Sequence, residues 1–128
     1  MLSLNCVMVN SSDAKKLADY YGEVLQQEPE MEDKDSGFVG YLAGDCFIMF
    51  GPHDKVQGKN DHPERMICFF QTKDVEAEFE RIKAIDGTTV IKEPYNPGAD
   101  PKGFLATLAD PDGNYFQLAT PWDQAGEK

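Results

Sequence analysis

The sequence predicts an α+β fold in which a strand, a helix and three further strands occur twice in succession. Three observations lead there. Two apolar strands, Ser3 to Asn10 and Met66 to Thr72, each run into an aspartate that opens an amphipathic helix. Two apolar hairpins, one turning at Gly44-Asp45 and one at Asp110 to Asn114, close the two halves. Between the halves, Gly51 to Glu64 holds Pro52, Gly58, Asn60 and Pro63 and almost no apolar side chain, which is the composition of a linker.

Taken in order, Ser3 to Asn10 alternates with Val7 and Val9 on one side and Cys6 and Met8 on the other, so both sides are apolar enough to be covered. Asp13 is placed to cap a helix through about Gln26, whose stripe is Leu17, Tyr20, Tyr21, Val24 and Leu25. Glu28 to Asp35 is acidic and contains Pro29, as expected of an edge strand or a solvated loop. Phe38 to Ala43 and Cys46 to Phe50 form the first hairpin. In the second half Asp74 caps a helix bearing Val75, Phe79, Ile82 and Ile85, and Gly87 is suited to end it in the left-handed region. Thr88 to Lys92 reads as a short strand, Pro94 to Lys102 as a loop able to cover a cleft, and Phe104 to Ala109 with Asn114 to Thr120 as the last hairpin. The expected division is one domain over 1–128: a first module at 1–51, a linker at 52–64, a second module at 65–122 and a polar tail at 123–128.

Superposing the two caps brings Val7 onto Cys68, Val9 onto Phe70 and Tyr21 onto Ile82, with Leu17 against Glu78 as the mismatch. Superposing the two hairpin glycines, Gly44 and Gly113, brings Phe47 onto Phe116 and Ile48 onto Gln117.

A formal charge of −11 opposes nucleic acid and anionic membranes, since both would repel the surface. A cationic ligand is drawn to such a surface, although acidic balance also serves solubility. No basic apolar leader and no apolar run of bilayer length is visible, so a cytoplasmic protein is expected. Cys6, Cys46 and Cys68 are odd in number and lack CxxC spacing, which argues for reduced, packed thiols. His53 and His62 lie in the polar linker, where an exposed role is expected.

The stretch Asp110-Pro111-Asp112-Gly113-Asn114 must reverse the chain, with Pro111 fixing its own backbone, Gly113 permitting positive φ, and Asp112 and Asn114 able to bond nearby amides. Followed by an apolar strand with one polar position, Gln117, it resembles the last hairpin of the glyoxalase, bleomycin-resistance and extradiol dioxygenase group, the vicinal oxygen chelate superfamily. The Asp-Val-Glu-Ala segment at Asp74 to Ala77 and the pair Glu93-Pro94 resemble it as well. The resemblance covers Leu4 to about Trp122 and implies two βαβββ modules that curl into a curved, barrel-like mixed sheet with the helices outside.

In metal-dependent members each module places one ligand on its first strand and one on its last. The matching positions are Cys6 and Ile48, then Ile67 and Gln117, a set that cannot hold zinc, nickel, iron or manganese. No catalytic residue, metal or cofactor is therefore assigned. By strand parity Cys6, Met8, Ile48, Phe50, Ile67, Phe69, Tyr115 and Gln117 share the side facing the cleft, either as barrel core or as the lining of an apolar, aromatic pocket. Gln117 takes its hydrogen bonds from a neighbouring strand or from a ligand, and Trp122 is a stacking platform or a cap on the barrel end. The resemblance implies a small-molecule-binding protein, a homodimer, that sequesters an aromatic or cationic compound as the bleomycin-resistance branch does. The alternative is a metal-dependent lyase, isomerase or dioxygenase of the same superfamily.

Overall fold

Both helices begin at an aspartate whose carboxylate takes up a backbone N–H that the first turn leaves free: Lys16 N donates to Asp13 at 3.3 Å and Ala77 N to Asp74 at 3.0 Å. A hydroxyl two residues earlier steadies each cap, Ser11 accepting from Asp13 N and Thr72 from Asp74 N. The computed structural model describes residues 1–98 and 101–122. The expected tail at 123–128 and residues 99–100 of the expected covering loop lie outside the described residues.

The elements are β1 (Cys6–Asn10), α1 (Ala14–Leu25), β2 (Met31–Asp33), β3 (Phe38–Ala43), β4 (Cys46–Gly51), β5 (Cys68–Gln71), α2 (Val75–Lys83), β6 (Thr89–Tyr95), β7 (Leu105–Ala109) and β8 (Tyr115–Ala119). This is βαβββ twice. The strands form two mixed four-stranded sheets, ordered β1-β4-β3-β2 and β5-β8-β7-β6. The chain divides into two compact units at Gly58 and Lys59. No helix among the described residues is long and apolar enough to cross a membrane.

In the first unit β1 runs parallel to β4, and the register sets Val7 beside Ile48 and Val9 beside Phe50. Across the hairpin Val39 faces Phe50 and Tyr41 faces Ile48. These side chains form the side on which α1 packs: the Tyr21 ring stacks on Phe50 with centroids 4.8 Å apart, and the Tyr41 hydroxyl donates to the Ala18 carbonyl at 2.8 Å. Leu17, Ala18 and Val24 complete the buried stripe of the helix. Gln26 ends α1 in the left-handed conformation, with Gln26 N and Gln27 N returning to the Glu23 and Gly22 carbonyls.

The second unit repeats the plan. β5 runs parallel to β8 with Cys68 beside Phe116 and Phe70 beside Leu118, and β7 adds Leu108 and Ala106 to the same side. Phe116, Leu108 and Ala106 are wholly buried there, and α2 turns Val75, Phe79 and Ile82 inward. The helix stops at Lys83; Gly87 takes its positive φ in the turn that follows, where Thr88 returns a hydrogen bond to the Ile82 carbonyl. β6 runs on to Tyr95, further than the β-branched stretch suggests. It is an edge strand with two register shifts, so Pro94 sits where its missing N–H interrupts no regular ladder.

The turn between β7 and β8 is held by Asp110 rather than by Asp112. Its carboxylate, on a residue only 2% exposed, accepts from Asp112 N at 2.9 Å, Asn114 N at 3.0 Å and the Asn114 side-chain amide. Gly113, at φ 83°, donates back to the Asp110 carbonyl. Part of the expected linker is tied to this turn, Asn60 N donating to the Asp112 carbonyl and Asn60 Nδ2 to Asn114 Oδ1. Asp110→Ala strips three donors of a buried acceptor and is expected to cost about 2–3 kcal/mol in urea unfolding. Asp110→Asn, which keeps one acceptor oxygen, should lose less.

Candidate functional site

Each sheet has a second side, turned away from the residues that meet its helix, and the expected ligand positions fall mostly there. In the first unit the register aligns Cys6 with Phe47, Met8 with Met49 and Asn10 with Gly51, and β3 adds Leu42 and Gly40. Two aromatic rings lie across glycines on this side. A Cβ on Gly40 would come within 3.0 Å of the Phe47 ring, and one on Gly51 would run into the ring of Phe38. Met8 is 51% exposed. Ile48 and Phe50, expected beside Cys6 and Met8, instead occupy the helix side at 5% and 0% exposure.

The error is one of register. The hairpin loops differ in length, two residues at Gly44-Asp45 against five at Asp110 to Asn114, so their glycines are not equivalent. The parallel ladders give the true correspondence: Val7 pairs with Ile48 and Cys68 with Phe116, while Ser11 N bonds the Gly51 carbonyl and Thr72 N that of Ala119. Gln117 therefore corresponds to Met49, and a slip of one residue exchanges the two faces of a strand.

In the second unit Phe69 on β5 and Thr107 on β7 flank Gln117 on β8, and Tyr115 lies two residues away on the same side. Ile67, just before β5, shares that parity and is half-buried. Phe69 is 47% exposed, and Trp122, 73% exposed, tilts toward it with ring centroids 6.1 Å apart. With Gln71, Ala119 and Thr120 these rings line a recess of about 190 Å³. Beside them the Gln117 side-chain oxygen is buried and has no hydrogen-bond partner, Thr107 included. The structure thus brings Ile67, Phe69, Tyr115, Gln117 and Trp122 together in one unit and Cys6 with Met8 in the other. Sequence reasoning missed Asn10, Met49 and Gln71. The alternation that selects Cys6 and Met8 extends by one step to Asn10, so that signal was present.

A family model described as Glyoxalase-like domain matches residues 6–119. The chain belongs to that family. Solved structures similar to this glyoxalase-like domain include a glyoxalase/bleomycin resistance protein/dioxygenase family enzyme from Burkholderia phytofirmans PsJN, at 24% identity and a TM-score of 0.74 over 93% of this chain and 98% of that one. TnmS3, an antibiotic binding protein from Streptomyces sp. CB03234, matches at 23% identity and a TM-score of 0.70 over 94% and 97%. The genomically encoded fosfomycin resistance protein FosX from Listeria monocytogenes, a mutant complexed with Mn(II) and a dihydroxypropylphosphonic acid, matches at 19% identity and a TM-score of 0.72 over 99% and 97%. At these identities the likeness is one of fold. No curated protein matches the sequence.

A metal bound as in the metal-dependent members of the superfamily would need donors on the first and last strands of each unit. With the register corrected, this glyoxalase-like domain offers Cys6 and Met49 in one unit and Ile67 and Gln117 in the other: a thiol, a thioether, an alkyl group and an amide. That set does not fit a divalent ion that prefers imidazole and carboxylate. Among the described residues no three His, Cys, Asp or Glu side chains converge. Stoichiometric Mn(II), Ni(II) or Zn(II) should accordingly move the melting temperature by less than about 1 °C, because an ion with no differential affinity for the folded chain does not stabilise it. A bound equivalent with a raised midpoint would contradict the donor argument.

The first unit of the glyoxalase-like domain also carries an open depression of about 720 Å³ bordered by Asp19, Glu23, Glu28, Glu32 and Tyr41. It holds none of the expected ligand positions. Burial, helped by the fields of Asp19, Glu32 and Glu28, pushes the Tyr41 phenol up to about 12. Between the ordinary tyrosine value and that one, the unfolded chain releases a proton that the folded chain keeps. The Tyr41 contribution is thus complete below pH 10 and lost as the pH rises toward 12. Urea midpoints measured from pH 9 to 11 should fall, and Tyr41→Phe should flatten that fall.

Proposed function

We propose that this glyoxalase-like domain binds a small organic molecule, aromatic or cationic, and sequesters it without altering it. The observation that carries the reading is the Gln117 side-chain oxygen, buried and unpartnered beside the exposed rings of Phe69 and Trp122. An isolated buried acceptor costs about 1–3 kcal/mol, and folded proteins keep few of them. A ligand donor at this point recovers that cost, while the rings supply stacking area. The charge of −11 favours a cationic guest. TnmS3, similar in fold, is named as an antibiotic binding protein. The reading further takes the chain as a single binding domain, a cytoplasmic homodimer, the arrangement usual for superfamily chains of this length; light scattering after size exclusion checks the stoichiometry.

Trp122 is the single tryptophan, so its fluorescence reports on the recess directly. Titration with a panel of aromatic amines should quench it with saturation, and each compound should be recovered unchanged. Gln117→Leu is expected to keep or raise the melting temperature while weakening the best binder about tenfold or more. Loss of stability with unaltered affinity would show that Gln117 serves the fold, and a chemically altered compound would overturn sequestration.

A further inference from the structure

The dipeptide Asp-Gly occurs twice in the chain, at Asp86-Gly87 and at Asp112-Gly113, and both lie in turns of the second unit. Both glycines have positive φ, 99° and 83°. The turns nevertheless use them differently. At Asp110 to Gly113 the glycine is the last residue of the turn, so its N–H is the closing donor, to the Asp110 carbonyl at 2.8 Å. Asp112 N is held as well, by the Asp110 carboxylate at 2.9 Å, and the Asp112 carbonyl accepts from Asn60 N. Between α2 and β6 the closing bond runs instead from Thr88 N to the Ile85 carbonyl at 3.2 Å, which makes Asp86 and Gly87 the central residues. A central N–H takes no part in closing a turn, and that of Gly87 has no hydrogen bond among the described residues. Asp86 and Gly87 are exposed, whereas Asp112 and Gly113 are half-buried.

We propose that Asp86 is a site of spontaneous isomerisation to isoaspartate in the folded protein, and that Asp112 is not. The Gly87 nitrogen gives up its proton and attacks Cγ of the neutral Asp86 carboxyl; the new C–N bond replaces the bond from Cγ to its hydroxyl, and one water leaves. The product is a cyclic imide. Water then opens the ring: attack at Cγ restores aspartate, while attack at the main-chain carbonyl carbon leaves the chain running through the side chain of residue 86. The sum is a rearrangement without change of mass, and it consumes no oxidant or other reagent. Glycine at the following position favours the step because no Cβ crowds the approaching carboxyl. At Asp112 the corresponding nitrogen must first break the bond that closes its turn. The isomer adds a methylene to the backbone between α2 and β6 and presents the main-chain carboxylate of residue 86 to solvent. That carboxylate is the substrate of an isoaspartyl methyltransferase, which esterifies it from S-adenosylmethionine.

The full chain is aged at neutral pH, with and without urea, then treated with such a methyltransferase and a labelled methyl donor and mapped by peptide. In urea the two dipeptides should isomerise at similar rates. In the folded chain Asp86 is expected to stay within about tenfold of its rate in urea, because an exposed turn with an unbonded amide reaches the reactive geometry by local opening. Asp112 should be slowed about a thousandfold or more, the factor expected when reaction waits for global unfolding. Asp86→Ser should remove the label from the folded chain. Label at Asp112 as strong as at Asp86, or Asp86 slowed as much as Asp112, overturns the inference, and so does label that survives in folded Asp86→Ser.

Discussion

The parallel pairing of β1 with β4, and of β5 with β8, is the constraint on which the arrangement depends. Each ladder joins the strand that enters a helix to the strand that ends the unit, so one register decides which side chains meet the helix and which do not. The Ser11 N bond to the Gly51 carbonyl and the Thr72 N bond to the Ala119 carbonyl extend each ladder to the point where the helix cap begins. Cap, strand and core are thereby fixed together: Ser11 and Thr72 use their amides to hold the ladder and their hydroxyls to hold the aspartate that starts the helix.

Features determined within a few residues were legible in the sequence. The caps at Asp13 and Asp74, the buried stripes of both helices and the order of elements follow from local chemistry and periodicity. Register between strands does not, because it depends on how many residues a loop consumes. Two turns that each contain a glycine look alike, yet one uses two residues and the other five, and the difference moved Ile48 and Phe50 to the wrong side. The carboxylate that ties the second turn was likewise hidden. Asp110, Asp112 and Asn114 all have the composition of turn formers, and only the fold shows that Asp110 is the buried one. Asn60 reads as linker because its side-chain partner, Asn114, lies 54 residues further along the chain.

The glycines of the first sheet show how its far side is built. Gly40 and Gly51 leave room for the rings of Phe47 and Phe38 over the neighbouring strand: a Cβ at Gly51 would run into the Phe38 ring, and one at Gly40 would press on that of Phe47. Aromatic and sulphur-bearing groups thus occupy the side of this sheet turned away from α1. In the second sheet the small side chains are alanines, Ala109 beside the larger Tyr115 and Ala119 beside Gln71.

Comparing the two halves in the observed register separates what the fold requires from what it leaves free. On the helix sides the equivalent pairs are Val7 with Cys68, Val9 with Phe70, Ile48 with Phe116 and Phe50 with Leu118, all apolar in both halves. On the far sides they are Met8 with Phe69, Asn10 with Gln71, Phe47 with Tyr115 and Met49 with Gln117, where polar side chains stand among apolar ones. Burial against a helix tolerates no unpaired polar atom, so the first set is held to hydrocarbon and sulphur. The second set carries amides, and two of their oxygens are buried without a partner. Leucine or methionine would fill comparable space without an unpaired oxygen, and the first unit has Met49 at the position equivalent to Gln117. The unpartnered amide oxygens thus stand on the sides turned away from each unit's own helix, and none stands in the helix cores of the described residues.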